Sequence, residues 1–426
     1  MTIIHITAGI QETCGVSQFV MEIARAQGQA GHSVAVITTM TCGYPLGDVD
    51  VRLSPDPVPE LERLETKPDV VHVHNLWSRY GHRAMVWCRA NRVPYVVSPH
   101  GALKAWALKY KWWKKIPALL VYQWWDLHCA RAFHVTAEAE LPGLRRLHLN
   151  QPSCIAPLGV WINHESAANN PPPTVGSSSY RDVLFVGRIH PVKNLDGLIR
   201  AWALVREGHR CPPPPTFSTY TTRLIIAGSN DVGHQEELVE LAQSLGLKVV
   251  DFSHDLEFGK KQIFGGGEVP VETFRQRLSN CDADVIFTGP VYAKAKDWMY
   301  AQSWVFVLPS HTENFGGVVV EALAQGTPVI ASKGTPWKCL CEGAEESPSL
   351  NGQDVGANMP KSGRCGWWVD NSDESLFETL QMVLQLESSI RNECRRNAFD
   401  LVRVKYSWLS SAALLENAYT SARESQ

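Results

Sequence analysis

The stretch from Val305 to Ser332 constrains this chain more than any other. Val305-Phe306-Val307-Leu308-Pro309 is a short apolar run of branched and aromatic residues, the composition of a strand buried on both faces. Ser310 to Gly317 is polar and ends in two glycines. Val318-Val319-Val320-Glu321-Ala322-Leu323 then reads as a short helix that Gly326-Thr327-Pro328 closes, and Val329-Ile330-Ala331-Ser332 opens the next strand. Strand, loop, helix and strand in this order indicate an open parallel α/β sheet. In such sheets ligands bind at the carboxyl ends of the strands.

Two carboxylates give this unit its chemistry. Glu313 lies in the loop at the helix start and Glu321 inside the helix, about 2.2 turns and ~12 Å of rise further on, so both would face nearly the same side. The pair could then grip two ends of an extended polar ligand. Gly316 and Gly317 would let that ligand reach the backbone N–H groups of a helix N-terminus, which favours phosphate or developing negative charge. The spacing alone reads equally well as a helix-start acid and a surface glutamate.

Glu313-Asn314-Phe315-Gly316 followed by Glu321 resembles the paired-glutamate signature of the retaining, nucleotide-sugar-dependent glycosyltransferases of the GT-B fold. The likeness is greatest to the family-four-like branch that builds bacterial capsule, O-antigen and exopolysaccharide chains. It covers nearly the whole chain, with several motifs in the same order. It implies an α/β architecture of two Rossmann-like domains with a cleft between them. The expected domains are residues 1–165 on the acceptor side and 180–405 on the nucleotide-sugar side, with a last helix at about 406–426 packing back on the first. The implied reaction moves a hexosyl unit, with retention, from a UDP- or GDP-sugar to a glycan or polyprenyl-diphosphate-linked glycan.

Length and composition agree with this outline. At 426 residues the chain is too long for one ordinary core. A net charge of −3 makes bulk nucleic-acid binding an unattractive reading, and no apolar run is long enough to span a bilayer. The first strand begins almost at Met1, so a secretory leader is not expected. Scattered cysteines without a framework suggest reduced thiols. These readings place the protein in the cytoplasm; peripheral contact with the inner face of an anionic membrane is one of two readings of the tryptophan-rich segment described below. Cys339-Leu340-Cys341 with Cys365 has poor spacing for a metal site and no accompanying histidine cluster.

In the first half, Ile3-Ile4-His5-Ile6, a helix from Cys14-Gly15-Val16 to about Gln29, and Val34-Ala35-Val36-Ile37 form a βαβ opening. Its loop lacks G-x-G-x-x-G, which excludes a nicotinamide or flavin fingerprint. The family usually has a glycine pair here near the donor diphosphate, of which only Gly15 remains. Val70 to Asn75 is another strand, with His72 and His74 on one face as packing or loop-anchoring groups. Tyr95-Val96-Val97-Ser98 ends in Pro99-His100-Gly101, so His100 sits at a strand's carboxyl tip. The resemblance makes it the histidine that contacts the donor sugar near the reacting centre.

From Lys104 to Trp125, Lys104, Lys109, Lys111, Lys114 and Lys115 interleave with Trp106, Trp112, Trp113, Trp124 and Trp125. Such a segment suits a membrane interface. It equally suits an amphipathic helix whose tryptophans fill the core, interrupted at Pro117. Pro157-Leu158-Gly159-Val160 resembles the family's inter-domain segment, and 167–179 has linker composition.

The second half begins with Asp182 to Val186, a strand, and a turn in which Arg188 and Lys193 could bracket a diphosphate. The same positions hold the diphosphate-binding pair in the resembled family. That family also assigns Glu313 and the backbone of Asn314, Phe315, Gly316 and Gly317 to the donor sugar, and Glu321 to the ribose. Stretches near 207–222, 252–281 and 342–364 read as excursions without an assigned role. Two helical patterns are expected after Asp373, the last opening at Tyr406-Ser407-Trp408.

Asp48-Val49-Asp50 and Asp282-Ala283-Asp284 are poorly placed for a divalent metal, and the cations with the helix terminus could carry leaving-group charge instead. No cofactor or metal is therefore expected. Two alternatives remain: a nucleotide-sugar epimerase of the same architecture, which would turn over donor without acceptor, and a catalytically silent glycan-assembly subunit.

Overall fold

The computed structural model describes residues 1–11, 14–109, 112–161, 180–210, 221–230, 232–253, 271–341 and 364–424. The linker at 167–179 and the polyproline run at 211–215 lie outside the described residues. So do 254–270 and 342–363 within the two later excursions. The chain divides into two compact units, Met1–Trp161 with Tyr406–Gln426, and Ile162–Lys405.

The first unit is built on a seven-stranded sheet whose paired strands are all parallel. Its strands are β1 (Thr2–Thr7), β2 (Ser33–Thr38), β3 (Asp50–Leu53), β4 (Val70–His74), β5 (Tyr95–Ser98), β6 (Ala132–Val135) and β7 (Ser153–Ile155). Their spatial order is β3-β2-β1-β4-β5-β6-β7, which reverses direction between β1 and β4. Successive side chains alternate between faces. Ile4, Ile6, Val71, Val73, Val97 and Phe133 enter one core, while Ile3, Val70, Val96 and Ala132 enter another. The second core is closed by Phe19 and Ile23 of α1 (Gly15–Gln29) and by Trp408, Leu415 and Tyr419 of the C-terminal helix (Trp408–Glu424). A Cβ on Gly159 would come 2.5 Å from the Trp408 backbone nitrogen, so a glycine there lets the two backbones meet. Val160 N–H donates to the Tyr406 carbonyl at 2.9 Å beside it.

Four tryptophans of the Lys/Trp segment stand outside the core. Trp112, Trp113, Ile116, Leu120, Val121, Trp124 and Trp125 are exposed, Leu120 by 73% and Val121 by 76%. The core-filling reading therefore fails for these four tryptophans. The reason lies in what the segment buries instead. Asp126 and Leu127, both fully buried, anchor its carboxyl end. Asp126 accepts from Arg89 Nη1 of α2 (Arg79–Asn91) and sits 2.8 Å from His82 Nδ1. α3 (Trp112–Ala118) runs through Pro117 into a π-turn at Leu119–Gln123, followed by α4 (Trp124–His128).

The second unit repeats the plan with β8 (Tyr180–Val186), β9 (Thr221–Ala227), β10 (Val249–Asp251), β11 (Val285–Gly289), β12 (Val305–Leu308), β13 (Val329–Ser332) and β14 (Gly366–Val369). The order is β10-β11-β9-β8-β12-β13-β14, again with parallel pairs. Its helices include α5 (Leu195–Arg210), α6 (Ala293–Gln302) and α7 (Gly317–Ala324). After Asp373 the chain forms three helices, not two. α8 (Asp373–Leu384) and α9 (Ser388–Lys405) are separated by a short break, and the C-terminal helix follows. A continuous polar and apolar pattern concealed that break.

Candidate active site

β8 and β12 are sequence-distant but adjacent in the sheet, so the loops at their carboxyl ends meet where strand order reverses. The β8 loop is tightly built. A Cβ on Gly228 would lie 1.8 Å from the Gly187 carbonyl oxygen, and Gly187 has φ 151°. Asn194 adopts φ 54° and donates through Nδ2 to the Asn371 carbonyl at 3.0 Å. His311 N–H donates to the Val192 carbonyl at 2.9 Å, tying the β12 loop to the β8 loop.

This framework joins two residues that the sequence assigned to separate roles. Lys193 Nζ forms an ion pair and hydrogen bond with Glu313 Oε1, and both side chains are largely buried. Ser310 Oγ donates to the same carboxylate oxygen at 2.9 Å and is itself fully buried. Ser310 went unnoticed in the sequence because serine after a strand is ordinary loop chemistry. Arg188 is exposed and makes no hydrogen bond or ion pair among the described residues.

α7 begins only at Gly317, with Gly316 at φ 81° as its N-cap and no side-chain cap. Glu313 is therefore outside the helix, and a continuous helical rise from Glu313 to Glu321 does not describe the pair. The Phe315 ring is buried 5.0 Å from the Trp337 ring, and its carbonyl accepts from Trp337 Nε1–H at 2.6 Å. Phe315 thus anchors the loop from beneath. Gly317 and Val318 N–H have no partner among the described residues, as expected for a helix start.

Glu321 accepts from Lys296 Nζ at 2.9 Å and from Tyr300 O–H at 3.2 Å. Both partners lie on α6 one turn apart, the spacing that places them on one helix face. That spacing was the available signal for Lys296 and Tyr300. Burial, then Glu321, holds the Tyr300 phenol well above its ordinary range, so it stays a donor. An ionised carboxylate has about four acceptor positions, so Glu321 keeps capacity for further hydroxyls.

In the first unit Gly15 is the exposed first residue of α1, and a Cβ there would meet nothing within 4 Å. His100 has φ 47° and Gly101 φ 78°. Buried Glu140 holds this turn by accepting from Gly101 N–H at 2.6 Å and from Thr136 N–H and Oγ1–H at 2.9 and 2.7 Å. His100 Nε2 lies 3.0 Å from His74 Nδ1. Desolvation, then His134, pushes His100 down to about 3.

His5, His72 and His74 are buried with one nitrogen from each within 4.8 Å of the others. The four aspartates of the two Asp-x-Asp strings are engaged by Arg25, Arg52, Arg206 and Lys248.

The model for Glycosyltransferase Family 4 matches residues 13–163, and models for glycosyl transferases group 1 match 171–264 and 257–347. A D-inositol 3-phosphate glycosyltransferase of Nocardioides sp. is 27% identical over 244 residues, 57% of this chain and 42% of that protein. An uncharacterized glycosyltransferase of Methanocaldococcus jannaschii is 27% identical over 245 residues, 57% and 45% of the two chains. The chain thus spans less than half the length of these curated relatives. Among solved structures, sucrose-phosphate synthase from Thermosynechococcus elongatus superposes with TM-score 0.63 at 17% identity over 100% of both chains. HepE of Anabaena, in complex with UDP and glucose, gives 0.62 at 16% over 99% and 100%. WaaG, a glycosyltransferase involved in lipopolysaccharide biosynthesis, gives 0.60 at 15% over 98% of each. The fold is GT-B, and glycosyltransferase family models match stretches in both halves of the chain.

Proposed function

We propose that the protein transfers a hexosyl unit from a UDP- or GDP-sugar to a glycan or polyprenyl-linked glycan, with retention, in surface polysaccharide assembly. The observation that carries this reading is the Lys193–Glu313 pair at the strand-order reversal of the second unit, beside the uncapped start of α7. A cation there and an exposed Arg188 suit a diphosphate. A fixed carboxylate suits the positive charge that develops at the anomeric carbon. Glu321, held by Lys296 and Tyr300, would accept from ribose hydroxyls, and His100 would contact the sugar. HepE supports the donor class by its bound UDP-glucose, and WaaG supports the polysaccharide context.

The test is a donor panel read by release of nucleoside diphosphate, with and without acceptor, before and after EDTA. Donor consumption that requires acceptor and survives chelation is expected. Turnover of donor alone to an epimer, or activity lost to EDTA and restored by Mn²⁺, would overturn the reading.

The exposed tryptophans with Lys109 and Lys114 would suit an anionic lipid surface. Binding to anionic vesicles is expected to weaken as salt shortens the Debye length, and Trp112→Ala with Trp113→Ala should reduce it by about tenfold or more. Flotation unchanged in the double variant counts against this surface.

A further inference from the structure

One face of the first sheet carries a polar stripe inside an apolar core. His5 of β1 pairs in register with His72 of β4, and His74 with Ser98 of β5. His5, His72, His74, Ser98 and His134 are all buried. Above them lie buried Gln27 of α1 and Tyr419 of the C-terminal helix.

Their hydrogen bonds form one unbranched chain. It starts at the Ala156 carbonyl, which can only accept, so His134 Nε2 carries hydrogen at 2.8 Å. Burial pushes His5 down to about 4 and His72, His74 and His134 below their ordinary value, so each ring is neutral with one N–H. His134 Nδ1 therefore accepts from Ser98 Oγ–H at 2.6 Å, and Ser98 Oγ accepts from His72 Nε2–H at 2.6 Å. His72 Nδ1 then accepts from Tyr419 O–H at 2.6 Å, and Tyr419 accepts from Gln27 Nε2–H at 3.3 Å. That orientation of the amide leaves Gln27 Oε1 to accept from His5 Nε2–H at 2.7 Å. His5 Nδ1 accepts from His74 Nε2–H at 2.9 Å, and His74 Nδ1 accepts from His100 Nε2–H at 3.0 Å. Each step leaves the next group one choice. His100 Nδ1 is left as a lone-pair acceptor with no partner among the described residues.

We infer that this buried wire, running from the Ala156 carbonyl through Gln27 and Tyr419, locks His100 as the Nε2–H tautomer, so that its Nδ1 accepts from a ligand hydroxyl. Gln27, Tyr419 and Ser98 are then positioning residues for His100. The link to a sugar hydroxyl rests on the proposed donor-sugar role of His100; the tautomer does not. The same nitrogens of His5, His72 and His74 are the ones a metal ion would need, and all are already hydrogen-bonded.

The wire is read without any substrate. Long-range ¹⁵N–¹H correlation of the full chain labelled in histidine, with His100 assigned through His100→Gln, should show His100 as the Nε2–H tautomer by more than ~10-fold at pH 7.5, since reversal would strand buried polar groups. Tyr419→Phe removes the hydroxyl joining the two halves and lets the Gln27 amide turn over. His100 should then show both tautomers, with kcat/KM falling about two- to tenfold in the transfer assay. Ser98→Ala cuts the chain nearer its anchor and serves as the second variant if Tyr419→Phe does not fold. A wild-type His100 in the Nδ1–H form, a tautomer unmoved in a folded variant, or a stoichiometric metal ion in the purified protein would overturn the inference. Absent transfer activity with the tautomer as described would overturn the donor reading and leave the wire standing.

Discussion

Glu313→Gln is expected to lower kcat by about 100-fold or more, the scale of losing a charged contact made in the transition state. Glutamine keeps the size and the Ser310 contact but removes the charge that faces the anomeric carbon in the proposed reaction. It also removes the counter-ion of Lys193, so the donor KM should stay level or fall, because a released ammonium is freer to meet the diphosphate. Lys193→Met should act in the other direction, raising donor KM and removing the ammonium that pairs with Glu313. The two changes are therefore expected to be non-additive by at least ~1 kcal/mol, as contacting charges in a part-buried site are. Glu321→Gln is expected to raise KM with little change in kcat, because a ribose contact is the same in ground and transition states. Steady-state kinetics with donor varied decide the matter. A Glu313→Gln enzyme with normal kcat and only a raised KM, or a strictly additive double variant, refutes the assignment.

The first unit should be unusually acid-labile. His5, His72, His74 and His134 are buried and held below the ordinary histidine value, mainly by desolvation. The folded state therefore stays neutral where the unfolded chain takes up protons. The stability they confer is fully present above about pH 6.5 and is lost as pH falls below it, toward their depressed folded values. Each such group contributes a slope of up to about 1.4 kcal/mol per pH unit, and four approach ~5 kcal/mol per unit. Against a typical total of about 5–15 kcal/mol, that slope brings unfolding within reach between roughly pH 5 and 6. Thermal unfolding of the full chain should show a transition falling on the order of 10 °C or more per pH unit below 6.5. A melting temperature flat from pH 8 to 5.5 would show that the histidines are not held neutral.

How much of this was legible in the sequence depends on the range over which each feature is set. The strands at 3–6, 70–74, 95–98, 305–308 and 329–332 are apolar runs of parallel-sheet length, and the structure has strands at each. Local burial on both faces demands that composition wherever the strand ends up, so it shows in a short window. The loop at Glu313–Gly317 was visible for the same reason, since glycine with positive φ marks a turn without any tertiary knowledge. What each loop residue faces was not visible. Lys193 and Glu313 meet only because β8 and β12 are neighbours, and strand order is not encoded in either segment.

The tryptophan segment shows a similar division. Its composition declared an amphipathic segment, yet its buried anchor is Asp126, which pairs with Arg89 and His82 of α2. The histidine chain is the extreme case. His72 and His74 were visible as one face of a strand, but His5, Ser98, His134, Gln27 and Tyr419 joined them through register and helix packing across the whole first unit. The sequence by itself determined which segments are strands, where the turns fall and which residue types could do chemistry, because those follow from local burial and backbone sterics. Only the tertiary structure decided which charges pair and which histidine nitrogens are hydrogen-bonded to which partners, because hydrogen bonds and ion pairs act over about 3 Å between residues as far apart in sequence as Gln27 and Tyr419.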